Sequence, residues 1–293
     1  MKPYYQDEYV TLYCGDCREI VPTLGQFDLL LTDPPYVMLN IKWDKQDVFI
    51  DFIDILPSVM AEKCNIIFTG FGINAYKWCI KANEKYDFKE EIIWDKQYVG
   101  SPLNAVPRTH ETIYLFGSRP LNKIRLPYED QIKSDKQILK DISRIRDAVR
   151  GKKEKENFIR YLQTGEFEYG SDNKRGSNLS ISVKTRSQSR SISTLKKIQL
   201  GSRPKSIIRV KSEHNNKMHP TQKPQKLFEI LIKLASNQKD TIIDPFAGSG
   251  TTGVAAKLLN RKCTLIEKEE KYCEIAARRL SQGVLPLWEK EVE

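Results

Sequence analysis

The sequence of 293 residues has no long uncharged apolar run, since stretches such as Phe27 to Leu31 and Thr241 to Ile243 are short and soon interrupted. A membrane-spanning helix needs about 20 consecutive apolar residues, so we expect no membrane span. The first ten residues include Lys2, Asp7 and Glu8 and lack the apolar stretch of a secretory signal. We therefore expect a cytoplasmic protein.

Cysteine and histidine are also scarce, with six and three residues. Cys14 and Cys17 form one isolated C-x2-C pair, without the second pair that a zinc site requires. We expect unpaired cysteines and no metal site. The 40% content of apolar residues is typical of a globular chain, which excludes a wholly disordered protein.

Positive charge is concentrated in one part of the chain. Residues 119 to 217 contain 25 Lys and Arg against 11 Asp and Glu, a net charge of +14, whereas the rest of the chain carries −4. A serine-rich run from Ser177 to Ser206 lies in the same part. The segment reads as a basic insert, either a solvated face or a surface for a polyanion such as nucleic acid.

Two patterns stand out within the insert. After Ser134, apolar residues keep a helical spacing from Ile138 to Val149, which predicts an amphipathic helix. Leu179, Ile181 and Val183 alternate with polar residues. That alternation fits a half-exposed strand or a flexible basic ribbon equally well.

Strand-like and helix-like segments alternate on both sides of the insert. The strand-like runs lie at residues 10–13, 27–31, 65–69, 91–94, 112–116, 241–243 and 262–266. This alternation predicts an α/β fold with a mostly parallel sheet. Ligands of such folds bind beyond the carboxyl ends of the strands, so the loops at that edge are the candidate site.

The first candidate loop, Asp33-Pro34-Pro35-Tyr36, follows the apolar run that ends at Leu31. Prolines fix the backbone and leave carbonyl acceptors, so a carboxylate and a carbonyl can together accept both hydrogens of an exocyclic amino group. Those bonds favour pyramidal nitrogen and free its lone pair, while Tyr36 can stack on the base. The alternative is a strand-ending turn capped by Asp33.

The second candidate loop runs from Asp244 to Thr252 and contains Gly248 and Gly250. Glycines between a strand and a helix let the backbone approach a ligand. Val254 stands where a phosphate-binding loop would need Lys, which argues against a nucleotidase. Glu267 follows the next strand, where an acid can bind ribose hydroxyls, so loop and acid together favour an adenosine-containing cofactor over a merely capped turn.

Together these residues resemble the β class of DNA amino-methyltransferases, which use S-adenosylmethionine. The similarity rests on four stretches: residues 33–36, His110-Glu111 after Arg108, residues 219–224 (HPTQKP) and residues 244–252 (DPFAGSGTT). The stretch 219–224 by itself reads as a helix cap. The resemblance implies a Rossmann-like fold, circularly permuted, with helices on both faces of the sheet and one antiparallel edge strand.

The resemblance also implies a domain plan. Residues 1–118 would form the catalytic half, residues 119–217 the target-recognition insert and residues 218–293 the cofactor-binding half. Family members are often dimers, so a homodimer is compatible with the resemblance.

Site residues follow from the resemblance position by position. Those holding the target base would be Asp33, Pro34, Pro35 and Tyr36. Those lining the cofactor would be Asp244, Phe246, Ala247, Gly248, Ser249, Gly250 and Thr251, with Glu267 on the ribose, Asp16 near the adenine ring, and Thr221, Lys223 and Pro224 near the methionine part. Candidate phosphate contacts in the insert are Arg186, Arg190, Lys196 and Lys197.

The resulting hypothesis is a site-specific methyltransferase of restriction-modification type. It would flip an adenine out of double-stranded DNA and methylate its N6 atom. Asp33 favours adenine, because cytosine-N4 members more often carry Ser at this position. Val37 departs from the small or polar residue usual after the tyrosine, which leaves substrate choice open. Cytosine-N4 methylation, RNA methylation and an idle DNA-binding scaffold are the alternatives.

Overall fold

The structure is a computed structural model. It describes residues 2–37, 47–97, 105–128, 130, 135–148, 155–156, 159–160, 163–164, 193–212 and 222–282. The chain divides into two units, a larger one of Met1–Ile124 with Lys205–Glu293 and a smaller one of Arg125–Pro204.

The larger unit alternates strands and helices. Its strands are β1 (Tyr5–Gln6), β2 (Val10–Cys14), β3 (Phe27–Thr32), β4 (Met60–Gly70), β5 (Phe88–Asp95), β6 (His110–Gly117), β7 (Ile207–Arg209), β8 (Thr241–Asp244) and β9 (Lys262–Glu267). Its helices are α1 (Cys17–Ile20), α2 (Val48–Phe52), α3 (Leu56–Val59), α4 (Gly72–Asn83), α6 (Gln225–Ala235), α7 (Thr251–Leu258) and α8 (Glu270–Ser281), with α5 lying in the smaller unit. All seven predicted strand-like runs are confirmed as strands.

The strands form one sheet in the order β1-β2-β9-β8-β3-β4-β6-β5-β7. Neighbouring strands are parallel in the run β2-β9-β8-β3-β4, and β5 and β7 are also parallel to each other. The expected antiparallel edge strand is β1, and a second described strand, β6, also runs against the rest but lies inside the sheet between β4 and β5. The sheet is therefore mixed but mostly parallel, as predicted for this fold class.

Both faces of the sheet are buried, which explains why the central strands are almost continuously apolar. Leu30, Phe68 and Ile243 point to one face and join a core with residues of α1 to α4. Because side chains alternate along a strand, Leu29 and Ile242 point to the opposite face and are also fully buried. Helices α6, α7 and α8 contact the sheet strands β3, β9 and β2 there.

The carboxyl ends of β3, β4, β5, β8 and β9 meet at one edge of this sheet. Since β6 runs in the opposite direction, it begins at that edge, where Asp95 of β5 is paired with His110. Next to it, Gly70 at the end of β4 is paired with Thr112. Polar residues at the starts and ends of these strands are thereby brought together, although they are far apart in the sequence.

The smaller unit contains α5 (Asp135–Ala148), which confirms the helix predicted at the start of the insert, and residues 193–200 are also helical. Tyr128 donates a hydrogen bond to Asp141 of α5 at 2.9 Å. The predicted strand or ribbon around Leu179 lies outside the described residues. The domain boundaries stay a prediction, and β7, inside the predicted insert, pairs with β5 in the larger unit.

In the part of the chain that the structure describes, every helix is too short or too polar to cross a membrane.

Candidate functional site

Asp33 follows β3 directly and its carboxylate is surrounded by donors. Oδ1 accepts hydrogen bonds from the hydroxyls of Tyr36, at 2.8 Å, and of Thr69. Oδ2 lies 2.5 Å from Nζ of Lys223. The two prolines remove two backbone donors from the loop, while Val37 follows it with φ 59°, a left-handed conformation that is costly for a β-branched residue. The loop is thus held by contacts from two other parts of the chain, Thr69 and Lys223.

Tyr36 lies at the centre of this group. Its hydroxyl is 2.9 Å from Oγ1 of Thr69 and 3.2 Å from Oε2 of Glu111, in addition to its contact with Asp33. Burial and the two nearby carboxylates raise the pKa of Tyr36 well above its usual value, so the hydroxyl stays protonated. The ring is half-buried and packs against Trp78 at 6.3 Å between centroids.

Glu111 of β6 binds two ammonium groups. Oε1 lies 2.5 Å from Nζ of Lys96, and Oε2 lies 3.1 Å from Nζ of Lys223. Burial alone would raise the pKa of Glu111, but Lys223 and Lys96 outweigh it and lower the pKa to about 2. The same ion pairs raise the pKa of Lys223 although burial opposes this. Asp33, Glu111, Lys96 and Lys223 therefore form a neutral cluster of four charges.

The sequence did not assign a role to Glu111, Lys96 or Thr69. Glu111 appeared only as half of a family motif, while Lys96 and Thr69 carry no local signal. Each lies at or beside a strand terminus, at the edge already singled out for ligand binding. The contacts of Glu111 depend on the antiparallel placement of β6, which the sequence did not predict.

The glycine loop is joined to the Asp33 loop through Asp244. This buried carboxylate accepts hydrogen bonds from the hydroxyls of Thr32, at 2.7 Å, and Thr252, and from the backbone N–H of Phe246 at 3.1 Å. Burial raises the pKa of Asp244 to about 6 although these bonds oppose the shift. Both carboxylate oxygens of Asp244 are therefore hydrogen-bonded within the protein, and the residue supports the loop. Its predicted contact with a cofactor stays a prediction.

Two glycines give this loop its shape. Gly248 and Gly250 have φ 53° and 77°, in the left-handed region that favours glycine. A Cβ on Gly250 would lie only 3.0 Å from Cβ of Ala276 in α8. The backbone can therefore turn sharply into α7 close to α8.

Arg279 of α8 was missed by the sequence reasoning and fixes the other side of the loop. Its Nη1 lies 2.6 Å from the carbonyl oxygen of Ser249, 2.9 Å from Oγ of the same residue and 3.2 Å from Oγ1 of Thr251. Ser249 and Thr251 are buried beneath it. Ala247 is also buried, and its N–H bonds to the carbonyl of Ile266 at 2.9 Å.

Glu267, at the end of β9, closes the loop. Its Oε2 accepts the N–H of Gly248 at 2.8 Å and its Oε1 accepts the N–H of Glu269 at 2.8 Å. Burial raises the pKa of Glu267 to about 7 although these N–H groups oppose the shift. The structure thus brings the predicted acid and the predicted glycine loop together.

Asp16 lies close to Glu267, because the N–H of the preceding residue, Gly15, bonds to the carbonyl of Glu267 at 2.9 Å. Its carboxylate caps α1 by accepting the N–H of Arg18, and it also pairs with the side chains of Arg18 and Lys268. The Arg18 guanidinium holds the pKa of Asp16 well below its usual value. Asp16 is thus both a helix cap and a neighbour of the predicted cofactor loop.

The other predicted site residues lie in different parts of the chain. Pro224 is buried at the start of α6, and Phe246 packs against Phe49 and Phe52 at 5.9 Å between centroids. Lys196 and Lys197 are exposed in the smaller unit. Thr221, Arg186 and Arg190 lie outside the described residues.

The sequence and the fold are similar to those of known proteins. A family model described as DNA methylase matches residues 27–278. The type II methyltransferase M2.LlaDCHI of Lactococcus lactis subsp. cremoris is 27% identical over 308 residues, which cover 96% of this chain and 93% of the relative.

Two solved structures show the same fold. PvuII DNA methyltransferase, described as cytosine-N4-specific, has a TM-score of 0.61 at 15% identity and covers 97% of this chain and 91% of its own. The M1.HpyAVI–SAM complex has a TM-score of 0.56 at 19% identity and covers 93% of this chain and 100% of its own.

The raised pKa of Glu267 leads to a prediction for the protein without ligands. Its pKa is higher in the folded state, about 7, than the ordinary 4.5, so the carboxyl stabilises the fold below pH 4.5 and loses that contribution as pH rises through about 7. As pH rises from 4.5 to about 7, the unfolding temperature should decline less in Glu267→Gln than in the wild type. The exposed Glu274→Gln is the control and should keep the wild-type slope. An unchanged slope for Glu267→Gln would contradict the assignment.

Proposed function

The chain belongs to the DNA methylase family, whose model matches residues 27–278, and we propose that it methylates the N6 atom of adenine in double-stranded DNA. Members of this family are DNA methyltransferases that use S-adenosylmethionine, and the family covers both adenine N6 and cytosine N4 methylation. The similarity to a type II methyltransferase supports a place in a restriction-modification system.

One observation carries the proposal: the Asp33 carboxylate lies at the active edge of the sheet, on a stiff loop that also offers the carbonyl of Pro34. These acceptors can take both hydrogens of an amino group. The nitrogen lone pair of adenine is delocalised into the ring, and such hydrogen bonds release it for attack on a methyl group. Tyr36 and Pro35 complete the loop, and we assign Tyr36 to stacking on the flipped base.

The glycine loop fits S-adenosylmethionine. Each oxygen of Glu267 accepts one backbone N–H, which leaves further lone pairs for the two ribose hydroxyls. Phe246 offers an aromatic ring beside Ala247, and Gly248 to Thr251 offer backbone at the start of α7. When bound, the cofactor supplies an electrophilic methyl group on sulfonium sulfur. Asp16 and Asp244 fix the surrounding loops.

Three predicted residues lie near the cofactor's methionine part on this assignment: Thr221, Lys223 and Pro224. The structure describes Lys223 and Pro224, and the ammonium group of Lys223 points to Asp33 and Glu111. Its position links the cofactor side of the site to the base side.

DNA binding is assigned to the basic segment. The net charge of +14 between residues 119 and 217 would neutralise phosphates, and Lys196 and Lys197 are exposed there. We assign phosphate contacts to these two lysines and to Arg186 and Arg190. Base contacts from the same segment would select the target sequence.

Adenine is preferred to cytosine because of Asp33, the residue more often found in adenine-N6 enzymes. The second candidate, cytosine N4, is favoured by the likeness in fold to PvuII DNA methyltransferase. The same two acceptors would serve the amino group of either base. Asp33, Tyr36, Gly248, Gly250 and Glu267 are all intact, which argues against an idle scaffold.

The product identifies the target base. After incubation of the protein with S-adenosylmethionine and unmethylated duplex DNA, nuclease digestion and mass spectrometry should detect N6-methyladenine. Folded RNA under the same conditions is the control and should remain unmodified. N4-methylcytosine would keep the mechanism and change the base, whereas DNA without any methylated base would contradict the proposed function.

Substitution of Asp33 tests the mechanism. Asp33→Ala removes the carboxylate acceptor and should lower turnover at least about 100-fold. Cofactor affinity, measured by calorimetry, should stay within about threefold, because Glu267 and the glycine loop are untouched. Asp54→Ala, which removes an exposed carboxylate paired with Lys81, should retain full activity. Turnover of Asp33→Ala within about tenfold of wild type, about 1.4 kcal/mol, would refute the role of Asp33.

A further inference from the structure

Lys223 has two carboxylate partners for one ammonium group. Nζ lies 2.5 Å from Oδ2 of Asp33 and 3.1 Å from Oε2 of Glu111. Only 5% of the Lys223 side chain is exposed, so solvent cannot replace either partner. A small displacement of Nζ away from Asp33 would leave its contact with Glu111 in place.

This arrangement conflicts with the task that the proposed function gives to Asp33. To accept hydrogens from an amino group, the carboxylate needs a free lone pair directed toward the base. Oδ2 is engaged by Lys223, and Oδ1 already accepts the hydroxyls of Tyr36 and Thr69. One lone pair of Oδ2 therefore remains, but the ammonium group 2.5 Å away competes with the amino group for the charge of that oxygen, so withdrawal of Lys223 would make Oδ2 the stronger acceptor.

Tyr36 also lies 3.2 Å from Glu111, but Lys223 is the charged donor, and it keeps a carboxylate partner if it leaves Asp33. Glu111 is fixed by Lys96, whose Nζ lies 2.5 Å from Oε1, and by its place in β6 opposite Trp94. Only 8% of the Glu111 side chain is exposed, so its charge also requires a partner on Oε2. Glu111 therefore offers a stationary, buried acceptor beside Asp33.

The residues on either side of Lys223 are anchored. Oε1 of Gln222 accepts a hydrogen bond from Oγ of Ser249 at 3.3 Å, and Pro224 begins α6. The side chain of Lys223, not its backbone, is therefore the part that can move.

We propose that Glu111 is a positioning residue that draws the Lys223 ammonium away from Asp33 when the target amino group binds. In the structure Lys223 bridges the two carboxylates, and in the reactive complex it stays with Glu111 alone. Oδ2 of Asp33 can then accept one amino hydrogen without competition from the ammonium group, while the carbonyl of Pro34 accepts the other. This inference rests on the proposed function and assigns Lys223 no part in the transfer step itself.

A double-mutant cycle tests the proposal. Glu111→Gln keeps the size of the side chain but removes the charge that attracts Lys223, so the single-turnover rate at saturating cofactor and DNA should fall about 30-fold or more. In a Lys223→Met background there is no ammonium to withdraw, so the same substitution should change the rate less than about threefold.

Equal losses in the two backgrounds would overturn the proposal, because Glu111 would then act independently of Lys223. A Lys223→Met enzyme without a detectable rate at saturating cofactor would also overturn it. Calorimetry should give similar cofactor affinities for wild type and Glu111→Gln, which separates a defect in positioning from a damaged cofactor site.

Asp7→Asn is the matched control. It makes the same change in a carboxylate that pairs with a lysine, Lys257, at 2.6 Å and accepts two backbone N–H groups. It should lower thermal stability and leave the transfer rate unchanged. A wild type that forms no methylated DNA would refute the proposed function. If the wild type is active but Glu111→Gln lowers the rate equally in both backgrounds, only the proposed role of Glu111 would be refuted.

Discussion

Four charges clustered at one edge of a sheet, two of them buried, constrain the rest of this structure. Asp33 and Glu111 bring two negative charges into a nearly dry region, and Lys96 and Lys223 balance them. A buried charge without a partner costs several kcal/mol, so each of the four depends on the others. The protein can keep a carboxylate ready at this edge only because two lysines, supplied by distant parts of the chain, neutralise the cluster.

The fold brings these groups together through strand direction. Parallel strands deliver Asp33, Thr69 and Lys96 at their carboxyl ends, and the reversed strand β6 delivers Glu111 from its beginning. The same edge carries the glycine loop, because β8 lies next to β3, and Thr32 and Asp244 join the two loops. The loops that we propose for the methyl donor and for the target base are thereby neighbours at one edge of the sheet.

Sequence was sufficient where the chemistry is local. The strands, the stiff Asp33 loop and the pairing of the glycine loop with Glu267 could all be predicted, because each depends on a few consecutive residues or on a known spacing. Lys96, Thr69 and Arg279 could not, since their partners lie far away in the chain and their contacts depend on strand order. The interior position of β6 was missed for the same reason, and the position of Lys223 against Asp33 was not foreseen.

The most direct test is a structure of the protein with an unreactive cofactor analogue and duplex DNA containing the target. The account predicts a flipped adenine whose N6 atom lies about 3 Å from the Asp33 carboxylate and from the carbonyl of Pro34. In that complex Lys223 should contact Glu111 and no longer contact Asp33. A target base bound away from Asp33, or one bound while Lys223 still occupies that carboxylate, would contradict the account.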